Sequence, residues 1–242
     1  MTAFELAVQD PAGIAVAGRV RPDRIELCTA LSTGGVTPSA ALIDAAVETQ
    51  VPVHVLVRPR EGGFEYDEAE RAVILSDISQ AVRRGAQGVV IGGLVGGAVD
   101  LELVRRAQDA AGGREVTFHR AIDMAADLAA SVEALADAGV TRILTSGGAP
   151  RAVDALEILS DLAKRTAGRM QVMAGAGVTA QNAVAIAESG VDAVHASAKR
   201  TVTERFAVSL GAGAQAGVST SSTTDEGEAR AIRAALMRGA SL

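Results

Sequence analysis

The sequence predicts a single (β/α)₈ barrel spanning residues 1–242. Three observations point there. Short β-branched or apolar runs alternate eight times with amphipathic helical stretches. The segments 83–91, 136–144 and 187–195 share one order of helix, glycine, tight turn and strand, as suits a closed, nearly symmetric barrel. Finally, 242 residues, 48% of them apolar and only 2% aromatic, suit one such barrel packed mainly with Ala, Val, Leu and Ile.

The expected strands are 4–8, 24–27, 53–57, 88–91, 115–119, 142–145, 170–173 and 193–196. The expected helices are 12–18, 39–48, 68–84, 101–111, 128–138, 152–167, 180–188 and 228–237. Their ends carry the usual signals. Pro38 lies near one start, Asp100 and Asp127 read as N-caps, and Gly85, Gly112, Gly139 and Gly190 sit where left-handed terminators belong. A doubly wound open sheet is the rival, but it needs a glycine-rich fingerprint after its first strand, where Val8, Gln9, Asp10 and Pro11 stand. Residues 201–224, rich in Gly, Ser and Thr, read as an irregular segment crossing the barrel mouth before the last helix.

Composition narrows the function classes. A net charge of -6 leaves no basic face for nucleic acid. One cysteine permits no intrachain disulfide and fits a reducing compartment. No basic leader precedes an apolar run, and charges interrupt each hydrophobic stretch before membrane length, so a cytoplasmic location without a membrane partner is expected.

Strand alternation then sorts side chains. If Val53, Val55 and Val57 face the helices, His54, Leu56 and Arg58 face the lumen. The same rule sends Glu5, Ala7, Glu26, Cys28, Thr117, His119, His195 and Ser197 inward, so all three histidines share the lumen. Glu26 leads the candidates for acid–base work, because a lumenal carboxylate is costly unless paired or functional; an inert Glu–Arg pair is the alternative. His119, followed by Arg120 and Asp123, falls near the catalytic rim, with Asp123 itself a candidate. His195 is similar. His54 lies four residues before Arg58, roughly 13 Å deeper along an extended strand. It is therefore either a catalytic imidazole or a structural one bonded to Glu26 or Glu5.

Anion chemistry is expected from the loops. Ser146 and Gly147 follow the sixth strand, Gly175 and Gly177 the seventh, and Ser197 the eighth, where small residues expose backbone N–H groups. Tight turns alone also explain these glycines. Arg58 and Arg60 could clamp a carboxylate or phosphate. For metals, copper(I) prefers thiolate and thioether, and only Cys28 with Met173 or Met124 could serve; a lone buried cysteine is more often a small hydrophobe.

These residues carry a family pattern. Asp23-Arg24-Ile25-Glu26-Leu27-Cys28, Gly34-Gly35-Val36-Thr37-Pro38-Ser39, the run from Pro52 to Arg60, Thr117-Phe118-His119-Arg120-Ala121-Ile122-Asp123, the run from Arg142 to Gly148 and His195-Ala196-Ser197-Ala198 resemble the CutC family, in order from about residue 4 to 200. The resemblance implies a (β/α)₈ barrel, a cytoplasmic homodimer or higher homo-oligomer and, by the family's name, copper as cofactor or cargo. Two departures stand out. Many relatives read Pro-Gly-Gly-Gly where Ala174-Gly175-Ala176-Gly177 stands here, and some carry cysteine near the first strand, where Ala7, Val8 and Gln9 leave Cys28 without a thiol partner.

Three readings follow, and whether the chain is an enzyme stays open among them. One is copper homeostasis through Cys28 and histidines. Another is an isomerase, lyase or hydrolase in which Glu26, His119 and His54 move protons on a small anionic metabolite, a phosphorylated one among the candidates. The third is a non-catalytic binder of a phosphorylated ligand. No lysine lies within an expected strand, which leaves Lys199 as the one Schiff-base candidate.

Overall fold

The β-branched and apolar runs become eight parallel strands, β1 (Ala3–Val8), β2 (Arg24–Leu27), β3 (Val53–Leu56), β4 (Gly88–Ile91), β5 (Glu115–Phe118), β6 (Arg142–Thr145), β7 (Gln171–Ala174) and β8 (Ala193–Ala196). In the computed structural model, which describes residues 2–205 and 218–239, they close into a barrel, β1 pairing with both β2 and β8.

Eight helices wrap it: α1 (Pro11–Val20), α2 (Ala40–Val47), α3 (Glu68–Arg83), α4 (Leu101–Ala111), α5 (Leu128–Asp137), α6 (Leu156–Thr166), α7 (Ala183–Glu188) and α8 (Glu226–Gly239). Their starts are chemically marked. Asp10, Ser39, Asp100 and Asp127 each accept a hydrogen bond from a first-turn amide, and Asp67 with Glu70 forms a reciprocal capping box before α3. Two expected helices shorten at their N-termini. The first turn expected of α6 is a 3₁₀ turn over Ala152–Ala155. Before α7, Asn182 Oδ1 accepts from Thr179 and the Ala180 amide donates to Glu228, which diverts two amides from the helix. Among the described residues no helix is long and apolar enough to cross a membrane.

The segment expected to be irregular is ordered at both ends. Lys199–Arg205 pairs antiparallel with Val218–Thr224, where alternating Thr, Val and Ser suit an extended chain. Residues 206–217 of that expectation lie outside the described residues.

Alternation along the strands holds. Leu6, Val8, Ile25, Leu27, Val53, Val55, Val116, Phe118 and Val194 join the main apolar core beneath the helices. The opposite parity fills the lumen with two small apolar clusters, Cys28–Leu56–Val90 and Leu144–Met173–Ala193. Buried polar side chains fill much of the remainder: Glu5, Glu26, His54 and Arg142 are each at most 5% exposed. Branched apolar residues usually fill such a lumen. Here a polar plug does, with Arg142 donating to Glu115, Thr117 and Gln171.

Candidate active site

Strand register builds the floor. Glu5 stands level with His195 on one side and Arg24 on the other. Its Oε1 meets His195 Nδ1 at 2.9 Å, and its Oε2 accepts from Arg24 Nε at 2.9 Å. Burial alone would raise the Glu5 pKa, but the hydrogen bond and charge of His195, with Arg24 behind them, hold it well below the carboxylate range. For His195 the balance also favours the charged form: burial pulls its pKa down, yet Glu26 and Glu5 together push it up. Glu26 is level with Ala7 on β1 and His54 on β3. Its Oε2 is buried without a hydrogen-bond partner. Burial, aided by the Glu5 charge and opposed by His195, pushes the Glu26 pKa up to about 7. Glu26 is thus poised to hold or release a proton near neutrality.

His54 does not belong to this set. Its ring packs over Gly88, where a Cβ would come within 2.7 Å, and its Nε2 lies 3.5 Å from Glu115, not bonded to Glu26 or Glu5. Burial pulls its pKa down to about 4, so the ring is neutral. Leu56, two residues on, lines the mouth in its place.

The mouth is also lined by Arg58, Phe64 and His119. Arg58 is 5% exposed, and its terminal nitrogens donate to the main-chain oxygens of Thr33, Gly35 and Gly62. Among the described residues no carboxylate lies within salt-bridge distance of it, and its Nε has no partner. His119 Nδ1 accepts from the Ala121 amide at 3.1 Å, which places the proton of the neutral ring on Nε2, also buried and unpartnered. Burial, with the Arg58 charge adding, pulls the His119 pKa down to about 3. Gly92 makes room for this ring: a Cβ there would sit 2.2 Å from His119 Cε1.

The loops depart from expectation. The turn after β6 is an anion nest, but Asp123 fills it. The Asp123 carboxylate accepts from Thr145 Oγ1, Ser146 N and Oγ, Gly148 N and Arg120 Nε. Ser146 and Gly147 therefore face no ligand, and Asp123 is a loop clamp with no carboxylate oxygen left for catalysis. Substituting Asp123→Ala should unfasten these groups together and cost about 2–3 kcal/mol, measured by urea denaturation. Arg60 also falls outside the mouth. Glu70, carbonyls of its own loop and the Tyr66 ring hold it, because the capping carboxylate of α3 lies within reach. Gly175 packs under Leu144 and His195, whereas Gly177 and Ser197 do line the mouth.

The mouth is a cavity of about 1320 Å³ reached by Glu26, His195, Arg58, His119 and Lys199. Ligand atoms of Glu5, Glu26 and His195 lie within 4.8 Å of one another, yet both Glu5 oxygens are already engaged by His195 and Arg24. Copper(I) fits Cys28 poorly. Its thiol donates to the Val8 carbonyl at 3.6 Å, and burial beside Glu26 pushes its pKa up, against the thiolate that copper(I) requires.

Arg24, Glu115 and Arg142 escaped the sequence reading, although alternation carried to the other end of β2, β5 and β6 marks all three as lumenal.

Comparison with known proteins agrees with this architecture. The chain matches the CutC family over residues 2–200. It is 45% identical over 184 residues to the family protein CutC of Aliivibrio fischeri, covering 74% of each chain. It is 41% identical over 198 residues to that of Glaesserella parasuis, covering 81% of this chain and 82% of the relative. A crystal structure described as a copper homeostasis protein CutC from Streptococcus agalactiae superposes with a TM-score of 0.77 at 29% identity, over 81% of this chain and 99% of the other. The 3-hexulose-6-phosphate synthase of Salmonella typhimurium, at 19% identity and a TM-score of 0.62 over 98% and 100% of the two chains, shares the fold alone. With the family pattern spanning most of the barrel and relatives above 40% identity, this chain belongs to the CutC family.

Proposed function

We propose that the barrel mouth is the active site of an acid–base enzyme acting on a small anionic metabolite. Glu26 carries this reading. It is buried, one oxygen is unpartnered, its pKa is about 7, and it faces a cavity large enough for a metabolite. Next to it, His195 is oriented by Glu5, a carboxylate–imidazole pair suited to passing a proton. Arg58 supplies a buried positive charge without a counter-ion among the described residues, which a ligand's negative charge would complete.

Copper handling is the competing reading that the family's name suggests. The protonated, carbonyl-bound thiol of Cys28 weighs against copper(I) storage there, and the Glu26 site owes nothing to copper.

The test is direct. Wild-type protein and Glu26→Gln are incubated in D₂O with a desalted pool of anionic metabolites and followed by high-resolution mass spectrometry. At least one metabolite should be consumed or deuterated by the wild type alone. Identical traces from the two proteins would refute the proposal.

A further inference from the structure

Among the described residues, two buried donors on one wall lack acceptors. Arg58 Nε and His119 Nε2 have no hydrogen-bond partner there, though the two residues are only 5% and 6% exposed. Both residues contact Phe64, the guanidinium carbon 4.9 Å from its centroid and the imidazole centroid 4.9 Å from it. Both residues line the cavity that Glu26 enters from the floor. A buried donor without an acceptor is destabilising, and two in one wall constitute a demand for oxygen.

We infer that Arg58 Nε–H and His119 Nε2–H form an oxyanion cradle for an enolisable carbonyl compound, and that Glu26 moves the proton on the carbon beside that carbonyl. The inference deepens the acid–base reading of Glu26 and rests on it for the chemistry. The Glu26 carboxylate takes the proton; the C–H electron pair becomes the new C=C bond, and the carbonyl π pair moves to oxygen. The two N–H groups stabilise that enolate oxygen. In an α-hydroxycarbonyl compound the hydroxyl proton then passes to that oxygen, the new carbonyl forms where the hydroxyl stood, and the C=C pair takes the proton back from Glu26 at the former carbonyl carbon, giving an isomer with no oxidant or reductant needed. A neutral imidazole suits this task, because it donates a hydrogen bond without surrendering a proton to the enolate. Three of the five Arg58 N–H groups donate to main-chain oxygens, which leaves the Nε–H and one Nη2–H for a ligand oxygen.

Oxalate, a planar mimic of an enediolate, is the probe. It is titrated into the wild-type protein by calorimetry while the imidazole ¹H–¹⁵N resonances of its three histidines are followed. Saturable binding with a downfield shift of the His119 Nε2–H is expected. Arg58→Gln and His119→Phe, checked for native circular dichroism, should each weaken oxalate by about tenfold or more. Arg60→Ala should not. Absence of saturable oxalate binding, or an unmoved His119 resonance at saturation, overturns the cradle. Because the titration requires no turnover, its failure is distinguishable from loss of Glu26-dependent activity, which tests the acid–base reading itself.

Discussion

Glu26→Gln is expected to abolish turnover while raising the melting temperature at pH 8. Loss of the proton-transfer group should cost about a thousandfold in kcat, within the usual range for general acid–base catalysis. The stability gain follows from the sign of the pKa shift. In the unfolded chain this carboxyl ionises near 4.5, and in the folded protein near 7. Between those pH values the fold holds a proton that the unfolded chain has released, so stability declines as pH rises. Above about 7 the whole shift, roughly 3 kcal/mol, counts against the fold. Glutamine removes that ionisation. The variant should therefore melt roughly 5–10 °C above the wild type at pH 8, with the gap closing toward pH 5. Wild-type kcat/KM should rise with pH through about 7 as Glu26 loses its proton. Calorimetry at the two pH values and a pH–rate profile check both halves. A variant less stable at pH 8 would mean that the ionised carboxylate is paired in the fold, and the reading of Glu26 as a costly functional group would fail.

Much of this site is legible in the sequence because strand alternation is a local rule. Four strands, β2, β4, β6 and β8, fall where the β-branched runs place them, and parity alone sends Glu26, Arg58, His119 and His195 into one lumen. The errors come from partners distant in sequence. Arg60 carries the same charge as Arg58, but Glu70, ten residues later, claims it. Ser146 and Gly147 look like an open anion nest because nothing local shows that Asp123, a strand earlier, occupies it. His54 obeys parity and lies deep, as its place four residues before Arg58 suggests, but it faces Glu115 instead of Glu26 or Glu5. Parity gives the face of the sheet; the partner is settled only when neighbouring strands meet.

The second large effect is expected at Glu5→Gln, which should destabilise the protein by about 3–5 kcal/mol, as breaking a buried ion pair does. Glu5 is fully buried and serves two donors, Arg24 Nε and His195 Nδ1, one on each oxygen. A glutamine amide has one oxygen and one NH₂ group, so it can accept from only one of those donors, and His195 must give up its Nδ1 proton to take a hydrogen bond from the NH₂ group. Arg24 also loses its counter-charge. The pH dependence separates this from a simple packing defect. The Glu5 pKa is depressed, so its contribution is complete above the ordinary carboxylate range and vanishes as strong acid protonates it. The His195 pKa is raised, so the stability from its proton is complete below its ordinary 6.5 and is lost as pH climbs through the raised value. The gap between wild type and variant should therefore be widest at mildly acidic to neutral pH and narrow in both directions. Urea titrations at pH 3, 6 and 9 measure it, and a histidine NMR titration should show the His195 pKa falling in the variant. A gap independent of pH, with His195 unmoved, would reduce Glu5 to a space-filling residue and remove the oriented imidazole on which proton transfer beside Glu26 depends.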